Sequence, residues 1–132
     1  MTQTNRDIAT AYIRALESGV TGDAIAGFFS PDIRVTEFPN RFTPNGATRD
    51  LENLRAASER GKKVMQRQRY DIVSMTAEDN RVAIELDWTG TLALPVGNLP
   101  AGGDMRAHVA IVLEFLNGKI VAQRHYDCYE PF

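Results

Sequence analysis

Apolar positions along this chain change period partway through. Over residues 4–18 they recur every three to four positions. Ile8, Ala11, Tyr12, Ala15 and Leu16 form one helical face. Thr4 with Asp7 makes a capping-box pattern with a shorter acid than usual, and Gly19 supplies the stop. A second, short helix is expected from about Gly22 to Ser30, with Ile25, Phe28 and Phe29 inward and Pro31 ending it. Ile33 to Phe38 alternates and reads as a strand closed by Pro39. Pro39 to Ala47, with Asn40, Pro44, Asn45 and Gly46, reads as a loop. A third helix is expected from about Thr48 to Gly61, reaching toward Met65, with Leu51, Leu54, Ala57 and Val64 inward.

From Gln68 onward the period is two. Gln68–Thr76 is the first strand of this half. Arg81–Leu94 follows, with Val82, Ile84, Leu86 and Trp88 on one face and Arg81, Ala83, Glu85 and Asp87 on the other. A broad loop, Pro95–Gly103, leads to Met105–Leu116, where Val109, Ile111, Leu113 and Phe115 oppose His108, Ala110, Val112 and Glu114. Asn117-Gly118 is a strong hairpin signal and launches the last strand. With no repeat, low-complexity tract or linker, the whole chain, residues 1–132, is expected to form one α+β domain.

Composition narrows the partners. The chain has 132 residues, 43% hydrophobic and 24% charged, with a formal net charge of −2. That allows one domain with a real core. No basic stripe suits nucleic acid, and the densest positive cluster, Arg60, Lys62 and Lys63, reads as the solvated end of a helix. No apolar stretch approaches a membrane span, and the residues from Met1 to Arg6 are not followed by the apolar region of a signal peptide. Cys128 is the only cysteine, which rules out an intrachain disulfide and fits a reducing, cytoplasmic setting.

Candidate chemistry gathers on the last strand. Gln123, His125, Asp127 and Tyr129 share one face, and Ala122, Arg124, Tyr126 and Cys128 the other. A histidine and a carboxylate two residues apart suit proton movement if that face looks into a pocket. If it looks at water or a partner, it is a polar edge, with Asp127 capping a backbone N–H or pairing with Arg124 or Arg14. His108, His125 and Asp127 show no metal-ligand spacing, so no metal is expected. Gly102-Gly103 has no helix after it, so no phosphate cradle is expected either.

The order helix, helix, strand, helix, then four long antiparallel strands resembles the nuclear transport factor 2-like superfamily, in its SnoaL-like polyketide cyclase and ketosteroid isomerase-like branch. The residues that carry it are Ala11 to Leu16 with Gly22-Asp23, Ser30 to Glu37, and Val112 to Phe115 through Asn117 to Ile120 and on to Tyr126-Asp127. The resemblance implies a cone: a curved antiparallel sheet wrapped around N-terminal helices, whose mouth binds small molecules or mediates association. It implies that Gln123, His125, Asp127, Tyr12, Val82, Ile84, Leu86 and Trp88 face the interior. It also implies that the outer sheet face, with Ala110, Val112 and His108, covers a homodimer partner.

Against the ketosteroid isomerase pattern, Tyr12 matches the helix-one tyrosine, but the base position falls on Phe38 and the second aspartate on Ile111. Glu37 beside Phe38 is expected to point the other way unless the strand bulges. Against the SnoaL-like pattern, Asp127 matches the acid/base aspartate. The resemblance therefore implies proton-transfer chemistry on an apolar carbonyl compound without a cofactor. Asp127, His125 and Tyr12 would be catalytic, and Trp88, Leu86, Ile84, Gln123, Phe38 and Ile111 would line the pocket. The alternative is a non-catalytic ligand-binding or dimerisation module. Arg41 and Arg49 fall near the loop over the mouth, where they would be solvated rim charges or meet an acidic substrate.

Overall fold

The computed structural model describes residues 4–132; Met1–Gln3, part of the stretch read for a signal peptide, lie outside the described residues. Helix α1 spans Asn5–Glu17. The Thr4 hydroxyl accepts the Asp7 backbone N–H at 3.1 Å and satisfies one orphan donor of the first turn. Ala9, Tyr12 and Ile13 are its buried face. Gly19, at φ 84°, takes the left-handed conformation that ends the turn.

Helix α2 covers only Gly22–Ala26, because the chain is already extended at Phe29, where β1 (Phe29–Glu37) begins. Pro31 therefore lies inside a strand rather than after a helix. It is tolerated because β1 pairs with the last strand at Phe29 and again only from Arg34, so the missing N–H falls in the irregular stretch between. Ala47–Arg49, read as loop and helix start, instead forms a short strand β2, antiparallel to the end of β1. Helix α3 (Leu51–Val64) starts at Asp50, whose carboxylate accepts the Asn53 N–H at 2.9 Å. It runs directly into β3 (Met65–Glu78), with Met65 already extended.

Strands β4 (Arg81–Leu92), β5 (Asp104–Leu116) and β6 (Lys119–Tyr129) complete the chain. Asn117 and Gly118, at φ 51° and 77°, make the β5–β6 hairpin. The sheet order is β2-β1-β6-β5-β4-β3. Strands β3 to β6 are antiparallel neighbours, as expected, while β1 enters parallel to β6, so the sheet is mixed. Register shifts in the β1–β6, β3–β4 and β5–β6 pairs bend the strands around the helices.

The core lies between α1 and the inner sheet face. Val82, Ile84 and Leu86 of β4 and Ile111, Leu113 and Phe115 of β5 are buried there with Ile13, Ile33 and Ile120. Burying each such side chain contributes about 1.5–3 kcal/mol. Alternate residues of β4 are exposed, so the sheet's other face meets solvent. Helix α3 has no fully buried residue. Its Leu51, Leu54 and Val64 pack against the edge of the core, and Leu54 and Ala57 also line a cavity. Among the described residues, no helix is long and apolar enough to cross a membrane.

Candidate active site

The space between α3, α1 and the inner sheet face is a cavity of about 310 Å³. Strand β6 sends four side chains into it: Gln123, His125, Asp127 and Tyr129. Neighbouring strands set their company. Glu37 of β1 lies beside His125 in the parallel register, and Ile111 of β5 lies on its other side. Tyr12 comes from α1, and Trp88 and Tyr70, directly opposite each other on β4 and β3, form the far wall. Tyr129 is braced edge-on against Trp88, Phe42 and Phe132. The Trp88 indole lies over Gly90, where a Cβ would come within 2.6 Å of the ring and 2.7 Å of Met65 Sδ.

A hydrogen-bonded row links these groups. Gln123 Nε2 donates to the Tyr12 hydroxyl at 3.0 Å and also contacts His125 Nε2. In this orientation the Gln123 N–H meets a bare His125 Nε2 and holds the histidine proton on Nδ1, while Gln123 Oε1 is buried without a partner among the described residues. That Nδ1 faces Asp127 Oδ1 at 3.9 Å, too far for a direct hydrogen bond. Both groups remain available to a molecule in the cavity.

Burial sets the charges. It pushes the Asp127 carboxyl up to about 6, with the negative Glu37 adding to the effect. It pushes the His125 imidazole down to about 4; Glu37 works against this and Arg49 with it. Burial lifts the Tyr12 phenol to about 12 despite its hydrogen bond with Gln123, so Tyr12 stays protonated. Burial also pushes Glu37 up, but hydrogen bonds from Asn40, Arg49 and Thr43 and the Arg49 charge win, and the net shift is downward. Its oxygens accept Arg49 at 2.9 Å, and Asn40 and Thr43 each at 2.8 Å. Glu37 is thus a fixed, engaged anion, and Asp127 is the carboxyl whose proton moves near neutral pH.

Of the residues singled out from sequence, Asp127, His125, Tyr12, Trp88, Gln123 and Ile111 all line the cavity. Three do not. Ile84 and Leu86 are buried in the core, farther down β4 than the cavity reaches. Phe38 lies on the opposite face, 37% exposed and stacked on Tyr126 at 4.7 Å. Glu37 takes the inward place without any bulge, because it shares parity with the buried Ile33 and Val35. Arg49 turns inward to Glu37, whereas Arg41 donates to the Phe132 carbonyl and sits 4.7 Å over its ring. Asp127 pairs with neither arginine considered for it: Arg124 binds Glu114 at 2.7 Å and Arg14 binds Glu17 at 2.9 Å. Tyr70 and Gln68 could be placed in the site only once the β3 register was known, whereas Tyr129 could be placed from its parity with Asp127. No cluster of three His, Cys, Asp or Glu fit for a metal occurs among the described residues.

Solved structures share this architecture. AclR of Streptomyces galilaeus, provisionally assigned as a hydroxylase, aligns with a TM-score of 0.79 at 21% identity, over 96% of this chain and 80% of that one. IdmH of Streptomyces antibioticus, provisionally assigned as a polyketide cyclase, gives 0.77 at 17% identity, over 95% and 92%. A SnoaL-like polyketide cyclase from Agrobacterium tumefaciens gives 0.71 at 19%, over 96% and 92%. At these identities the likeness establishes the fold, which a further match, from Cytophaga hutchinsonii, identifies as nuclear transport factor 2-like. No curated protein matches the chain at a significant level. The SnoaL-like domain model matches residues 9–123, which takes in the helices, Glu37, Trp88 and the start of β6, and the chain belongs to that family.

Proposed function

We propose that this chain, acting as one domain over residues 1–132, is a cofactor-independent enzyme. It moves protons on an apolar carbonyl compound, in isomerisation, aldol cyclisation or dehydration. The observation that carries the reading is the pairing of Asp127, without an arginine and raised to about 6, with a neutral His125 in an aromatic-walled cavity. A carboxylate of that basicity is matched to proton abstraction near neutral pH. Asp127 would take a proton from the carbon beside the carbonyl. The His125 Nδ1–H or the Tyr12 O–H would donate to the carbonyl oxygen as charge develops there. Gln123 donates to Tyr12 and so leaves the phenol hydrogen free for that task. The cyclase description of one SnoaL-like structural relative supports the carbonyl substrate class.

The test uses β-tetralone, a bicyclic aryl ketone with acidic α-hydrogens, followed by NMR for deuterium uptake from heavy water. The protein should accelerate exchange, and Asp127→Asn should remove about 10²–10⁴-fold of that rate. Undiminished exchange in Asp127→Asn would sink the assignment.

The outer sheet face favours association of two copies. The Phe38–Tyr126 stack and the exposed Val73, 60% accessible, border a shallow hollow shared with Ala110 and Cys128. A homodimer through this face should give twice the chain mass by light scattering, and Tyr126→Lys should return it to monomer. Ligand binding and dimerisation without any exchange would leave the non-catalytic module as the function. A cytoplasmic setting suits the exposed, unpaired Cys128.

A further inference from the structure

The cavity beside Asp127 adjoins a second cleft of about 680 Å³, and Leu16, Ser58, Gln68 and Tyr70 line both. The second cleft lies between the end of α1, the last turns of α3 and the start of β3. Each volume is in the range of small-molecule sites. Nothing in the proton-transfer scheme uses this second space.

Its charged groups fall into two kinds. Glu17 is fully engaged: Oε1 accepts Arg14 at 2.9 Å and Oε2 accepts the Tyr70 backbone N–H at 2.7 Å. Lys62 and Arg67 are exposed and pair with no carboxylate among the described residues. At the shared wall, Gln68 Oε1 accepts the Trp88 indole N–H at 2.9 Å and the Tyr70 hydroxyl at 3.0 Å. An indole N–H only donates, so the amide orientation is fixed and the Gln68 N–H₂ is left for another acceptor. The waist and the cleft thus offer an amide donor and two cations. The opposite end of the cavity holds Glu37, engaged by Arg49 as Glu17 is by Arg14, and Asp127, which has no cationic partner among the described residues.

We propose that the second cleft seats the anionic end of an elongated organic acid whose apolar carbonyl body occupies the cavity beside Asp127. The charge difference sets the direction of binding: a carboxylate is repelled by Asp127 and drawn to Lys62 and Arg67. The proposal rests on the reading of the cavity as a small-molecule site and adds the substrate's charge and orientation.

The test compares two fluorescent probes with the same aromatic body on the intact protein. 1-Anilinonaphthalene-8-sulfonate carries an anionic group, and N-phenyl-1-naphthylamine lacks it. The double substitution Lys62→Gln with Arg67→Gln should weaken the anionic probe by about tenfold and leave the neutral probe unchanged. Ala57→Phe, which fills the cavity from α3, should weaken both. Both changes fall on partly or fully exposed helix or strand positions, and circular dichroism confirms that each variant is folded. If the neutral probe binds and responds to Ala57→Phe while the anionic probe ignores the double substitution, the anion seat is overturned and the cavity reading stands. If neither probe binds the unmodified protein, both fall together.

Discussion

The sheet carries two histidine–aspartate pairs, one on each face, and they behave in opposite ways. On the outer face His108 and Asp87 sit directly across β5 and β4, with Nδ1 and Oδ1 2.7 Å apart. There the hydrogen bond and the charge of Asp87 raise the imidazole above its usual range. On the inner face His125 and Asp127 lie 3.9 Å apart, and burial dominates. It drives the histidine to its neutral form and lets the aspartate keep a proton until about pH 6. The same two residue types make a close hydrogen-bonded pair in water and a separated pair with inverted proton affinities in a cavity. The decisive variable is desolvation.

The widest separation between the two pairs should appear in catalysis. Asp127→Asn should abolish most β-tetralone exchange, by about 10²–10⁴-fold, while Asp87→Asn leaves it unchanged. Equal losses in both would erase the distinction. Stability against pH comes next. The folded pKa of Asp127 is raised, so its contribution is full below the ordinary value of 3.8 and is lost as pH rises through about 6. The folded pKa of His125 is lowered, so its contribution is full above 6.5 and is lost as pH falls through about 4. At pH 5 the folded pair holds one proton on Asp127 and the unfolded pair one on His125, so the two slopes cancel. Urea unfolding curves should show this. Relative to the unmodified chain, Asp127→Asn should lose about 2 kcal/mol between pH 6 and 4, and His125→Gln should gain about 2 kcal/mol over the same range.

A smaller effect tests the tightness of the inner face. Gly90→Ala should cost about 1–3 kcal/mol by thermal melting, because the new methyl meets Trp88 and Met65, whereas Ala83→Val on the outer face of the same strand should cost far less. The smallest change is on the outer pair. Asp87→Asn should bring the His108 titration, followed by NMR, back toward its ordinary value with almost no change in melting temperature.

Period and parity carried much of the molecule. The grouping of side chains on β6 and the buried run of β4 follow from alternation, the β5–β6 hairpin follows from Asn117-Gly118, and the inward direction of the β6 face came from the family resemblance. What alternation does not reveal is depth. Ile84, Leu86 and Trp88 share a face, yet only Trp88 reaches the cavity, and the other two are sealed in the core. Glu37 was legible by the same parity as Ile33 and Val35, but matching a family base position to Phe38 overrode it. Strand β2 had no local signal, since three residues gain their strand character only from pairing with β1. Pro31 looked like a helix stop because its missing ladder bond depends on a register shift that no short stretch of sequence encodes.

The parallel pairing of β1 with β6 bears on how the protein is made. Glu37 and His125 are neighbours in space but lie at opposite ends of the synthesis order, joined only when the final strand slots between β1 and β5. Every helix and five strands are synthesised before any part of the His125–Asp127 pair exists. Contacts of such long sequence separation form late and slowly. Until that closing step the half-built chain offers an open apolar trough with two unpaired edges, to chaperones and to other nascent chains alike.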